Sequence, residues 1–184
     1  MLLLPQRPGS PEQQAALPSW LRGLRHGLDL VAAGLLAVAM LVLVLVFVLM
    51  NLEIFSRSLF GISTLVSDEY SGYGFALLIM AGLMYAHRAG ALLHVEFGAR
   101  LMGRRSRAVS LCLASLASLA AVGLAAVSGY RTWALSRLFE STSSFASETP
   151  LWLPQIAVPI GLALLALSFA EEFLTRAWVA ARNT

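Results

Sequence analysis

Residues 31–50 read VAAGLLAVAMLVLVLVFVLM, a run with no charge, no side-chain amide and no proline. As a helix rising about 1.5 Å per residue it is about 30 Å long, the thickness of a bilayer's hydrocarbon core. A helix that is apolar on every side has no face to offer water. Lipid is therefore the solvent this stretch requires. The run is too long for the apolar core of a signal peptide, begins only around residue 28, and is followed by Asn51, Leu52 and Glu53 rather than a small-x-small cleavage site. It reads as a retained span.

Outward from it, the same test picks two further uncharged stretches, 108–130 and 151–170. The fourth, 70–87, is the shortest. Its uncharged core, Ser71 to Ala86, gives only about 24 Å of helix, so Glu69 and His87 must sit near the two interfaces. The predicted fold class is an all-α membrane protein with four transmembrane helices plus short interfacial helices. Residues 1–19, with Pro5, Pro8, Pro11 and Pro18, read as a mobile tail, 20–176 as the four-helix membrane domain and 177–184 as a C-terminal tail. Composition agrees: 58% hydrophobic and 12% charged side chains in 184 residues fall far from the roughly 25% charged content of a soluble domain. A single cysteine, Cys112, excludes a disulfide framework.

The net charge is +3 and all 13 basic residues are Arg. Ten of them lie in the N-terminal segment, the middle loop and the C-terminal tail, against three in the other two loops. The positive-inside rule then puts both termini and the middle loop in the cytoplasm. Arg22, Arg25, Arg100, Arg104, Arg105 and Arg107 gather at a membrane boundary, where they are expected to meet lipid headgroups rather than nucleic acid. Trp20, Leu24 and Leu28 at i, i+4, i+8 suggest a short helix lying in the headgroup layer before the first span. In the last span Pro159 deprives the Gln155 carbonyl of its helical donor, so a bend is expected there.

No chemistry-bearing constellation emerges. The three histidines, His26, His87 and His94, have no cysteine beside them and none lies deep within a span, His87 standing at the very end of one, which argues against metal and haem alike, and no cofactor is expected. The serines of the third span share their depth with no His or Asp, so helix packing explains them better than catalysis. The spans also lack the acidic groups with which ion-coupled carriers bind substrate at the midplane. A chain so built is not expected to carry a substrate alone. The alternative is a stand-alone homo-oligomeric transporter or channel, for which Ser128 and Gln155 make a very sparse polar stripe.

Polar residues concentrate instead at the outer boundary: Asn51, Glu53, Arg57, Asp68 and Glu69. Two readings compete. In the local one, Glu53 pairs with Arg57 while Asp68 and Glu69 complement the positive end of the second span's dipole. In the other, Arg57 reaches Glu69 and organises a docking surface. At the inner boundary His87, Arg88 and His94 are expected to brace the helices. Glu171 and Glu172 stand at the unfavourable end of a helix dipole, with Arg176 in reach of Glu172, and are expected to be exposed at the interface.

The stretch from Asn51 to Phe97, NLEIFSRSLFGISTLVSDEYSGYGFALLIMAGLMYAHRAGALLHVEF, resembles the small membrane subunit of tripartite ATP-independent periplasmic (TRAP) transporters, the DctQ-like family. Arg57, Gly61, Glu69, Ala81 with Gly82, Gly90, His94 and Val95 match its pattern in order, and Pro150, Trp152, Pro154 and Pro159 look like its final span. The resemblance implies a non-catalytic subunit in a bacterial inner membrane. It would scaffold a large multi-span (M type) subunit that moves carboxylate-type solutes by a sodium-driven mechanism, with a periplasmic binding protein delivering the solute. Asn51, Arg57, Asp68 and Glu69 would make or brace the outer partner contact.

Overall fold

The computed structural model describes residues 18–63, 66–91, 104–145 and 147–182, the side chains of 104–108 and 179–182 excepted. All regular structure among them is helical: α1 (Ser19–Phe60), α2 (Ser67–Arg88), α3 (Arg104–Leu138), the one-turn α4 (Trp152–Gln155) and α5 (Ala157–Arg182). His94 and Arg100 lie outside the described residues.

Three helical segments, Ser19–Phe60, Val109–Leu138 and Trp152–Trp178, are long and apolar enough to cross a membrane. With 22 residues, α2 is long enough at about 33 Å, but Asp68, Glu69, His87 and Arg88 load its ends and lower its apolarity. The segment before the first span differs from the sequence expectation. Among the described residues no separate interfacial helix precedes the span, because α1 runs unbroken for 42 residues, about 63 Å. Gly23 and Gly27 weaken a helix without breaking it, and no proline interrupts the run. Its inward stripe is Leu21, Leu28, Ala32 and Ala39, whereas Trp20 and Leu24 are exposed.

Two motif glycines end helices. Gly61, at φ 65°, closes α1 by donating its N–H to the Arg57 carbonyl (3.1 Å), and Gly90, at φ 69°, closes α2. Both stand in the left-handed region that a Cβ disfavours, which is the physical reason for glycine there. Between α4 and α5 the chain passes through a turn at Ile156, one residue past Gln155 and three before Pro159.

The helices pack as a row rather than a closed bundle: α1 against α2, α2 against α5, and α5 against α3. Crossings are close where glycine permits. A Cβ on Gly161 of α5 would stand 2.7 Å from the Met80 Cβ of α2, and one on Gly74 would collide with Val46 of α1. The core lies toward one end, where Leu28, Ala32 and Met84 pack with Leu35, Tyr85 and Leu164. Toward the other end α1 and α4–α5 part, leaving a groove of about 710 Å3 floored by α2.

Candidate functional site

Polar side chains collect at the two ends of the row, and each end is built differently. At the Arg88 end, Asp29 and Arg25 project from α1, His87 and Arg88 from the last turn of α2, and Glu171, Glu172, Thr175 and Arg176 from α5. Arg88 is the hub. It donates from Nε to Asp29 Oδ1 (2.8 Å), from Nη2 to the Arg25 carbonyl (2.9 Å) and from Nη1 to Glu171 Oε2 (3.4 Å). Glu171 also meets Arg25 Nε at 2.9 Å and accepts from Thr175 Oγ1 at 3.0 Å. His87 Nε2 lies 3.3 Å from Glu172 Oε2, its ring against Phe169, and Arg176 pairs with Glu172. Arg176 Nη1 further donates to the Leu111 carbonyl of α3 at 3.0 Å. Four long helices are thereby tied at one level.

Among the described residues three guanidinium groups face three carboxylates, so these formal charges cancel. That balance is what permits Arg88 and Glu171 to be only 4% and 3% exposed, since an unpaired charge at such burial is strongly unfavourable. Two expectations are corrected here. Glu171 is not exposed at the interface: it is buried, because α1 and α2 deliver two arginines to it. Arg25 turns inward to Glu171 rather than standing free for lipid headgroups, while Arg22 is exposed. Arg104, Arg105 and Arg107 begin α3, four residues earlier than the expected start of the third span, and their side chains lie outside the described set.

At the Glu69 end the bonds are between hydroxyls and one carboxylate. Glu69 accepts from Tyr73 of its own helix (2.6 Å) and from Ser147 (2.5 Å) in the connector between α3 and α4. Tyr70 and Thr149 share a hydrogen bond at 3.1 Å. Burial pushes the Glu69 carboxyl up, but the hydroxyls of Ser143, Ser147 and Tyr73 outweigh it and hold the group below its ordinary value. The connector is a tight loop: an isolated bridge joins Thr142 to Pro150, and Ser143 N–H donates to the Thr149 carbonyl (2.9 Å). Glu140 and Glu148 both sit at φ 47°, a costly region for residues with a Cβ. Beside it Trp133 Nε1 donates to the Trp152 carbonyl (3.0 Å), and the Arg137 guanidinium stands over both indoles. Of the two readings of the outer boundary, the one in which Arg57 reaches Glu69 does not hold. Arg57 is exposed, and Glu69 is engaged by the connector instead. Asn51 donates its Nδ2 to the Phe47 carbonyl one turn back in its own helix (2.7 Å), Asp68 is exposed, and Glu53 accepts from Ser63 (2.7 Å).

Sequence reasoning missed Asp29 and the connector hydroxyls. Asp29 carried a readable signal, an acid one turn after Arg25 and immediately before a long apolar run, which demands a cation. Ser143, Ser147 and Thr149 carried none, because a Ser/Thr-rich loop has no period to reveal what it folds against.

Three helical segments long and apolar enough to cross a membrane, with charged groups gathered at two levels outside the apolar runs, define a helical membrane protein. The family model described as tripartite ATP-independent periplasmic transporters, DctQ component, matches residues 46–178. The match takes in well over half of the chain, which belongs to that family: it is a DctQ-like small component of a TRAP transporter. Comparisons with curated proteins and with solved structures returned no match.

Proposed function

We infer that this subunit is a static, non-catalytic scaffold for the large multi-span (M type) subunit of a bacterial inner-membrane importer. In this reading α2 is a fourth span, both termini are cytoplasmic, and the Arg88 end faces the cytoplasm. The importer takes carboxylate-type solutes, coupled to sodium and delivered by a periplasmic binding protein. One observation carries the reading: the buried charges are paired within the chain at one end and held by hydroxyls at the other, with no Asp, Glu, Lys, Arg or His in the helical runs between. Such a subunit offers no charged midplane group to a solute, while its tied helices present broad apolar faces at fixed depth to a neighbour. Arg57 and Asp68, both exposed, are the outer-face contact groups in this reading. His87 and Arg88 brace the inner face.

The test is uptake of a labelled carboxylate into vesicles carrying a sodium gradient, with binding protein outside. Vesicles with both membrane subunits should accumulate solute, and those with either subunit alone should not. Arg57→Ala should lower uptake severalfold without lowering the yield of the two-subunit complex. Accumulation by this chain alone would overturn the proposal.

A further inference from the structure

Arg57, Arg131 and Arg137 are all exposed toward the Glu69 end, and among the described residues only Arg137 rests on aromatic rings. Its guanidinium carbon stands 5.7 Å from the centroid of the Trp133 ring and 5.9 Å from that of Trp152, within the range of cation–π attraction. Trp133 is itself held, because its Nε1–H donates to the Trp152 carbonyl and its ring packs on Tyr130 with centroids 5.6 Å apart. Two indoles, one from α3 and one from α4, thereby fix where this positive charge stands.

The charge is not answered within the described chain. No carboxylate there pairs with Arg137, and no acceptor takes its guanidinium N–H groups. Glu140 and Glu148 of the adjoining connector are exposed and leave it unpaired. A guanidinium keeps its charge at any working pH and presents its donors as a rigid planar fork, which matches two oxygens of one phosphate.

Depth and neighbours identify the anion. Arg137 follows the uncharged run that ends at Tyr130 by about 10 Å of helix, and Trp and Tyr side chains gather at the headgroup level of a bilayer. Toward the membrane interior, Tyr130 and Trp133 also line a shallow apolar cleft between α3 and α5, with Pro159, Ile160 and Ala163. Trp133 belongs to both, so the surface is cationic at one end and apolar directly beyond it. An amphiphile with an anionic head and an apolar tail meets both parts in that order, whereas a free anion uses only the first. We propose that Arg137, seated on Trp133 and Trp152, binds the phosphodiester of a phospholipid from the leaflet at the Glu69 end. The inference rests on the bilayer placement of the helices and not on what the importer carries.

The full chain, purified in a sugar detergent both alone and with its large subunit, is read for retained phospholipid by native mass spectrometry. Wild type should keep one phospholipid whose occupancy falls about tenfold in Arg137→Gln, the weight of a charge-assisted contact. Arg131→Gln, which removes an exposed arginine of the same helix, should keep it. Equal loss in the two variants, or loss in neither, would overturn the proposal. So would an Arg137→Gln complex that keeps its phospholipid and sheds the large subunit, because a carboxylate of that partner would then be the occupant. A wild-type chain that never holds the large subunit counts against the scaffold reading, and the chain alone then decides the lipid question. A second arm separates lipid from free anion. With Trp20→Phe and Trp178→Phe, the remaining two of the four tryptophans are those of the site. Their fluorescence in the delipidated chain should change saturably with short-chain phosphatidylglycerol and stay constant with inorganic phosphate at the same concentration. An equal response to inorganic phosphate would leave a simple anion site and defeat the lipid assignment.

Discussion

Arg88 stands between Asp29 of α1 and Glu171 of α5, so its charge is what makes both carboxylates tolerable where they are. Replacing it with Met keeps most of the side-chain volume and leaves the cluster with one excess negative charge at nearly full burial. We expect Arg88→Met to lower the stability of the detergent-purified subunit by about 3–5 kcal/mol, the range for breaking one side of a buried ion pair. Adding Glu171→Gln restores neutrality and should recover part of the loss, because the two residues touch and their effects do not add. Melting temperatures of the single and double variants check this, and an Arg88→Met protein that melts like wild type would remove the cluster from the account. At the other end the sign of the pH effect follows from Glu69. Its folded carboxyl lies below its ordinary value of 4.5, so the stability it lends the latch is complete above that value and is lost as pH falls through the lowered one. Amide exchange over residues 139–151, corrected for intrinsic rates, should rise on acidification from pH 5 toward 3. Ser147→Ala should bring a faster exchange already at neutral pH.

Between helices, the small residues decide how near two axes come. Gly161 and Gly82 look alike in sequence, yet they have opposite environments: a Cβ at 161 meets Met80 at 2.7 Å and its carbonyl oxygen at 3.1 Å, while one at 82 meets nothing within 4 Å. Gly161→Ala should therefore destabilise by about 1–3 kcal/mol, as overpacking does. Gly82→Ala should be neutral or stabilising by up to about 1 kcal/mol, since it removes backbone freedom from a helix interior. Thermal unfolding of the two variants side by side separates a crossing point from a motif position of another kind. The continuity of α1 is an element-scale result too. Asp29, which a separate interfacial helix would leave in the headgroup layer, is instead held by Arg88, and the helix runs straight on from that anchor into the apolar run.

Across the whole molecule, the row α1–α2–α5–α3 is joined at the Arg88 end and parted by the groove at the Glu69 end. If α2 crosses the bilayer, its two ends lie on opposite sides. With Cys112 replaced by Ser, Ile62→Cys and Ser144→Cys should react with a membrane-impermeant maleimide added to intact cells, and Ala91→Cys only after the membrane is opened. Labelling of 62 and 91 from the same side would exclude the fourth span and the proposed orientation together. The run at 31–50 and the prolines around 151–159 were each legible by themselves. Apolar length and the missing proline N–H are local properties, and a linear sequence records local properties; the left-handed caps at Gly61 and Gly90 emerged only from the structure. Which charges are buried was not legible, because Asp29, Arg88 and Glu171 lie far apart along the chain and become one neutral group only when three helices converge. The same holds for the tie between Glu69 and Ser147 and for the groove, which exists in no single helix. Solvent class and the missing proline donor follow from neighbours in sequence; charge neutrality and empty space follow from neighbours in three dimensions.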